Sequence, residues 1–172
     1  MDSYDRILVA TDGSPGSTPV IEHSIRLARL SDAEVQALYV VDHRYPSATE
    51  YDMIVERMED EGTKALDTIE TAATEHGINV HKHLRRGVPA DEIVAAADQY
   101  DADVIVVGTH GRSAIGRFIH AGSVTERVVR TAEIPVFVTR IRPADDPAMA
   151  DVDSKTTASR RRLPGIEPSG GT

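Results

Sequence analysis

The sequence predicts an α/β domain built on an open, five-stranded parallel sheet with helices on both faces. Three observations point there. Short β-branched runs alternate with longer segments of helical period, as βαβ units require. Glycine and proline fall between the two kinds of segment. The 172 residues suffice for one well-buried core and are short for two.

The elements follow in order. Arg6 to Ala10 carries Ile-Leu-Val-Ala and forms a first strand. Gly13, Pro15 and Gly16 then mark a turn, after which Val20, Ile21, Ser24, Ile25, Leu27 and Ala28 recur at the spacing of one buried helix face. Glu34 to Val41 is the second strand. Residues 43–52 are polar, contain a proline and show no period, so they read as a loop. A long helix is expected from Met53 to His76, with Ile54, Met58, Leu66, Ile69 and Ala73 inward and Gly77 placed to end it. The third strand is Ile78 to Leu84, and Gly87-Val88-Pro89 opens a helix through Ile93, Val94 and Ala97. Asp103 to Val107 is the fourth strand, Ser123 to Thr131 the last helix, and Pro135 to Arg140 the fifth strand. Beyond Arg142 there are too few large apolar residues to offset the entropy of ordering. A domain over residues 1–142 with a disordered tail, 143–172, is therefore expected.

Composition narrows the chemistry. A formal charge of −9, from 28 acidic and 19 basic side chains, disfavours nucleic acid. Arg85-Arg86 and Arg160-Arg161-Arg162 are not interleaved with aromatics and read as a solvated face and a tail. Without cysteine there are no disulfides, thiolate metal sites or thiol catalysis, in keeping with a reducing compartment. Apolar runs such as Val104 to Val107 fall far short of the roughly 20 residues that span a bilayer, and the N-terminus lacks a signal peptide's basic region. No membrane association and a cytoplasmic location are expected.

In an open parallel sheet, ligands bind beyond the carboxyl ends of the strands, where strand order reverses. The residues there are Thr11-Asp12-Gly13-Ser14 after the first strand and Gly108-Thr109-His110-Gly111 after the fourth, leading to Ala121-Gly122-Ser123-Val124-Thr125-Glu126. Glycines admit backbone amides to an anion, and the following helix offers unpaired N–H groups. Ser123 and Glu126 also have the spacing of a capping box, which would commit the serine to the backbone instead. Asp12 is open to two readings, a ligand contact or an Asx turn. His110 reads as a polar loop residue or phosphate contact, with no second metal-ligating side chain at suitable spacing. Arg112 and Arg117 would steer phosphate or remain solvated loop charges. Neither a P-loop nor a G-x-G-x-x-G turn is present.

The segment VGTHGRSAIGRFIHAGSVTERVVR, followed by EIPVFVTR, resembles the nucleotide-binding signature of universal stress proteins, G-x2-G-x9-G-[ST]. RILVATDGS, ALYVVD and GVPADEI are similar to that family in order and position, so the resemblance spans about residues 4–141. It implies a Rossmann-like, adenine nucleotide alpha hydrolase-like fold with strand order 3-2-1-4-5. It also implies ATP as the ligand, with any Mg2+ held mainly by the phosphates. Carried over, Asp12 would bond the ribose or adenine side with Ala10 and Thr11 beside it, and Val40 would pack on adenine. Val107 and Gly108 would line the ribose and phosphate entry, His110 and Gly111 would meet the phosphates, and Gly122, Ser123, Val124 and Thr125 would complete their cradle. Between Gly111 and Gly122 lie ten residues where the pattern has nine, so either a bulge absorbs one or Ala121 takes the glycine's place.

The resemblance further implies a homodimer paired through Val136, Phe137 and Val138 of the fifth strand. An ATP-dependent stress sensor or switch is the leading function. A nucleotide-free dimeric scaffold and a slow ATPase or phosphotransferase are the alternatives, the last lacking an assembled set of metal ligands, water-positioning base and cationic stabilisers. No catalytic residue is assigned.

Overall fold

The computed structural model describes residues 3–42, 51–109 and 123–141. In chain order these form β1 (Arg6–Thr11), a 3-10 turn (Pro15–Ser17), α1 (Thr18–Ser31), β2 (Glu34–Asp42), α2 (Tyr51–Thr74) and β3 (Val80–Gly87). There follow α3 (Pro89–Gln99), β4 (Val104–Gly108), α4 (Ser123–Thr131) and β5 (Val136–Thr139). All the strand pairs are parallel, and the order is β3-β2-β1-β4-β5.

The continuous apolar run of β1 suits a strand covered on both faces. Ile7, Leu8 and Val9 are wholly buried. Ile7 and Val9 pack with α1 and α2 residues such as Ile25 and Ile69, whereas Leu8 packs with Ile93 of α3 and Val128 of α4. Each such side chain contributes about 1.5–3 kcal/mol through burial. The Asp103 carboxylate accepts the backbone N–H groups of Asp5 (2.7 Å) and Arg6 (2.8 Å), tying the entrances of β1 and β4 together.

Gly77 ends α2 as its position implied. Its φ of 71° is left-handed, its N–H donates to Thr74 O at 3.0 Å, and the Ile78 N–H donates to Ala73 O at 3.1 Å. That pairing is a Schellman motif. Asp32, with φ 57°, performs the same turn at the end of α1 without a glycine.

Two expectations shift. Helix α2 begins at Tyr51, so the end of the polar 43–52 segment is helical, and the remainder lies outside the described residues. Strand β3 begins at Val80 and extends through Arg85 and Arg86, because its ladder with β2 runs from Val35↔Val80 to Asp42↔Gly87. Ile78 is instead used in closing the helix. The two arginines are also more than a solvated face: Arg85 Nε meets Glu92 at 2.7 Å with both side chains mostly covered, and Arg86 Nε donates to Glu59 at 2.6 Å. These charges tie the edge strand to α3 and α2. They also discourage edge-to-edge pairing there. The expected tail lies outside the described residues, and no described helix is long and apolar enough to cross a membrane.

Gly62 lies within α2, where alanine would favour the helix by about 1 kcal/mol. A Cβ there would stand 2.5 Å from Cδ1 of the buried Tyr39 ring and 3.0 Å from Leu84 Cδ1. Overpacking of this kind costs about 1–3 kcal/mol, and a ring fixed on a central strand cannot swing aside. Gly62→Ala is therefore expected to destabilise the protein by about 1–2 kcal/mol, read as a lower denaturant midpoint at unchanged slope; a higher midpoint would contradict the packing argument.

His83 stacks on Tyr100 with ring centroids 3.8 Å apart, and its Nε2 lies 2.7 Å from Gln36 Oε1. Gln36 Nε2 donates to Glu34, which leaves its oxygen to accept the imidazole N–H. Burial, aided by the charges of His81 and Arg85, holds the His83 pKa below its ordinary 6.5. The unfolded chain thus binds this proton first as pH falls. The stabilisation contributed by neutral His83 is present above about pH 6.5 and declines below it. The stability advantage of the parent over His83→Gln should shrink as urea midpoints are compared from about pH 8 down to about pH 5; an advantage that grows on acidification would reverse the assigned sign.

Candidate functional site

The sheet order places β1 between β2 and β4. The chain leaves β1 toward α1 on one face, and α4 follows β4 on the other. The two exits therefore part at the carboxyl ends of adjacent strands, which opens a crevice.

On the β1 side the backbone turns sharply. Gly13 adopts φ 69°, in the left-handed region that glycine enters freely. Its N–H donates to Thr11 Oγ1 at 3.1 Å, and the Ser14 N–H donates to Asp12 Oδ1 at 3.0 Å. The Asx turn foreseen for Asp12 is thus formed. The Ser17 hydroxyl reaches the same carboxylate oxygen at 3.4 Å.

On the β4 side Val107 is buried, and Gly108 has a packing role of its own. A Cβ on Gly108 would come within 2.6 Å of Ile141 Cδ1 and 3.1 Å of Val20 Cγ2. This glycine lets α1 and the chain after β5 close over the end of β4. The Thr125 hydroxyl donates to Gly108 O at 2.6 Å, fastening the first turn of α4 to the last residue of β4. N–H groups in a first turn have no intrahelical partner and carry partial positive charge. The first turn of α4 is thereby held at the switch point.

Ser123 is the first residue of α4 and is exposed. Glu126 pairs with Arg130 at 3.7 Å, and the residue before Ser123 lies outside the described residues. Val124, Ala10 and Val40 are partly buried around the cluster that contains Val107, Leu8 and Leu38. Of the residues singled out from the sequence, Ala10, Thr11, Asp12, Val40, Val107, Gly108, Ser123, Val124 and Thr125 stand near the carboxyl ends of β1, β2 and β4 or in the first turn of α4. His110, Gly111 and Gly122 fall outside the described residues, as do Arg112, Arg117 and Ala121.

Of the two serines beside Asp12, Ser14 was named only as part of the segment that follows the first strand, and Ser17 was not named. Both are almost completely buried, and a serine in a turn carries no sequence signal of where its hydroxyl points. Among the described residues, no group of three His, Cys, Asp or Glu side chains is arranged to hold a metal ion. A polar cleft of about 510 Å³ opens at the opposite end of the sheet, lined by Asp5, Arg6, Arg29, Asp32, Glu34 and His76 among others. Its walls are mainly polar, and Arg6 is already bonded to Glu34 at 3.2 Å. At the carboxyl ends of β1 and β4 stand the Asp12 carboxylate and the first turn of α4.

The universal stress protein family model matches residues 3–140. Universal stress protein MJ0531 of Methanocaldococcus jannaschii is 40% identical over 141 residues, covering 80% of this chain and 82% of the relative. The solved structure of the hypothetical protein MJ0577 aligns with a TM-score of 0.73 at 28% identity, over 81% of this chain and 98% of that one. A universal stress protein solved in complex with cAMP aligns at 0.61 and 25% identity, over 81% and 99% of the two chains. One from Archaeoglobus fulgidus in complex with dAMP aligns at 0.60 and 26% identity, over 80% and 98%. With nearly the whole described fold matched by one family model and by relatives of similar length, the chain belongs to the universal stress protein family.

Proposed function

We propose that this chain binds ATP at the β1/β4 switch point and acts as a dimeric, cytoplasmic stress sensor or switch. The observation that carries the reading is that Asp12 directly follows β1, while the first turn of α4 is bonded to the last residue of the adjacent strand β4. The carboxylate can only accept hydrogen bonds, so it suits ribose hydroxyls or the adenine amine and repels phosphate. The partial positive charge at the start of α4 attracts phosphate. This polarity sets the nucleotide with its sugar toward Asp12 and its phosphates toward Ser123, with Ala10, Val40 and Val124 offering apolar surface to the base. The cAMP and dAMP bound to relatives are adenine nucleotides of one phosphate. The further phosphates of ATP would be met by His110, Gly111 and Gly122, and Mg2+ would be held mainly by those phosphates.

A ligand that contacts the loops of two diverging crossovers can bias their arrangement only by binding one arrangement more tightly. A sensor of this kind needs no turnover. Calorimetric titration of nucleotide-stripped protein with ATP and magnesium is expected to show binding. Asp12→Ala should weaken it about 10- to 100-fold, the worth of a hydrogen bond to a charged group, and Gly122→Val should weaken it as well. Phosphate released in the same samples tests the slow-ATPase alternative. No binding at millimolar ATP would favour the nucleotide-free scaffold.

The dimer reading rests on the edge of the sheet. Among the described residues β5 pairs only with β4, and its Phe137 and Val138 are 47% and 38% exposed. An apolar edge with unpaired backbone groups invites a second strand. Val138→Asp is expected to elute as a monomer in size-exclusion chromatography at concentrations where the parent is dimeric; a variant that stays dimeric would exclude this edge.

A further inference from the structure

We propose that Ser17 is the positioning residue that fixes the Asp12 carboxylate in its binding orientation, an inference that rests on the nucleotide reading above. Ser17 closes the 3-10 turn that begins at Pro15, and its N–H donates to Ser14 O at 3.0 Å. The turn folds the side chain back beneath the end of β1. There its hydroxyl meets three neighbours: Thr11 Oγ1 at 3.2 Å, Asp12 Oδ1 at 3.4 Å and Ser14 Oγ at 3.4 Å.

The donor directions form an ordered chain. The Gly13 N–H donates to Thr11 Oγ1, the Thr11 hydroxyl donates to Ser17 Oγ, and the Ser17 hydroxyl donates to Asp12 Oδ1. The Ser14 N–H approaches the same carboxylate oxygen. Ser17 has one proton to give and two lone pairs. Giving the proton to the carboxylate leaves the lone pairs for Thr11 and Ser14, so every polar valence of this buried hydroxyl is met.

The positions of Ser14 and Ser17 make the arrangement specific. Ser17 stands at the cap of α1 and Ser14 at the cap of the 3-10 turn, yet neither side chain makes a capping bond. Serine at such positions ordinarily satisfies a helix N–H. Here both hydroxyls, only 7% and 8% exposed, face each other, and Ser17 turns to Asp12. The consequence is a carboxylate whose Oδ1 receives the Ser17 hydroxyl beside the Ser14 N–H, so that ordering it does not have to accompany ligand binding.

The test combines two measurements on full-length protein. Three-bond Hα–Hβ couplings of Asp12, without nucleotide, should report one χ1 rotamer in the parent and averaging in Ser17→Ala. Ser17→Thr, which keeps the hydroxyl, should restore the single rotamer. Ser24→Ala removes a comparably buried hydroxyl from α1 that bonds only within its own helix, to Val20 O, and should leave Asp12 unmoved. In titrations with ATP and magnesium, Ser17→Ala should lose about five- to tenfold in affinity in the parent but less than about twofold in the Asp12→Ala background, since coupled residues are not additive. An Asp12 rotamer unchanged in Ser17→Ala, or equal affinity losses in both backgrounds, overturns the proposal. Should the parent bind no ATP, the nucleotide reading fails by itself, and the couplings alone decide whether Ser17 positions Asp12.

Discussion

The burial of β1 on all sides is the constraint from which the rest of the structure follows. It is hydrogen-bonded to β2 on one edge and β4 on the other, and its central three side chains are lost to solvent on both faces. A strand in that position must be apolar without interruption, and helices must cover it above and below. The two halves of the chain, from β1 to β3 and from β4 to β5, therefore lie on opposite sides of one strand, with their helices on opposite faces. A crevice at the carboxyl end of β1 is the geometric result.

What fills that crevice's walls is determined locally. The chain leaving β1 turns through a left-handed glycine, which aligns consecutive side-chain oxygens of Thr11 and Asp12 on consecutive backbone N–H groups. The chain leaving β4 must accommodate Val20 and Ile141, which accounts for Gly108 by packing. The Thr125 hydroxyl then holds the start of α4 against that glycine's carbonyl. A carboxylate that follows β1 and the first turn of a helix bonded to β4 thus belong to adjacent strand ends.

Much of this was legible in the sequence, for reasons that differ by element. α4 was placed from Ser123 to Thr131 with the observed bounds, and the end of α2 at Gly77 followed from a glycine's access to positive φ. β3 was expected from Ile78 to Leu84 and runs from Val80 to Gly87, because Arg85-Arg86 on an edge strand carry no apolar signal until the ladder to β2 is seen. Asp12 was ambiguous because an Asx turn and a ligand contact use the same residue type, and the turn is present. Ser17 was silent. Its three hydroxyl partners are all within six residues, yet only the 3-10 turn brings them together.

Two places could take an adenine nucleotide, the proposed β1/β4 switch point and the polar cleft at the other end of the sheet. Amide chemical-shift mapping during titration with ATP and magnesium addresses both at once. The largest changes are expected at Thr11, Asp12, Ser14 and Val40 and across Ser123 to Thr125, with Asp5, Arg29 and His76 unaffected. Changes confined to Asp5, Arg29 and His76, or none anywhere at millimolar nucleotide, would contradict binding at the switch point.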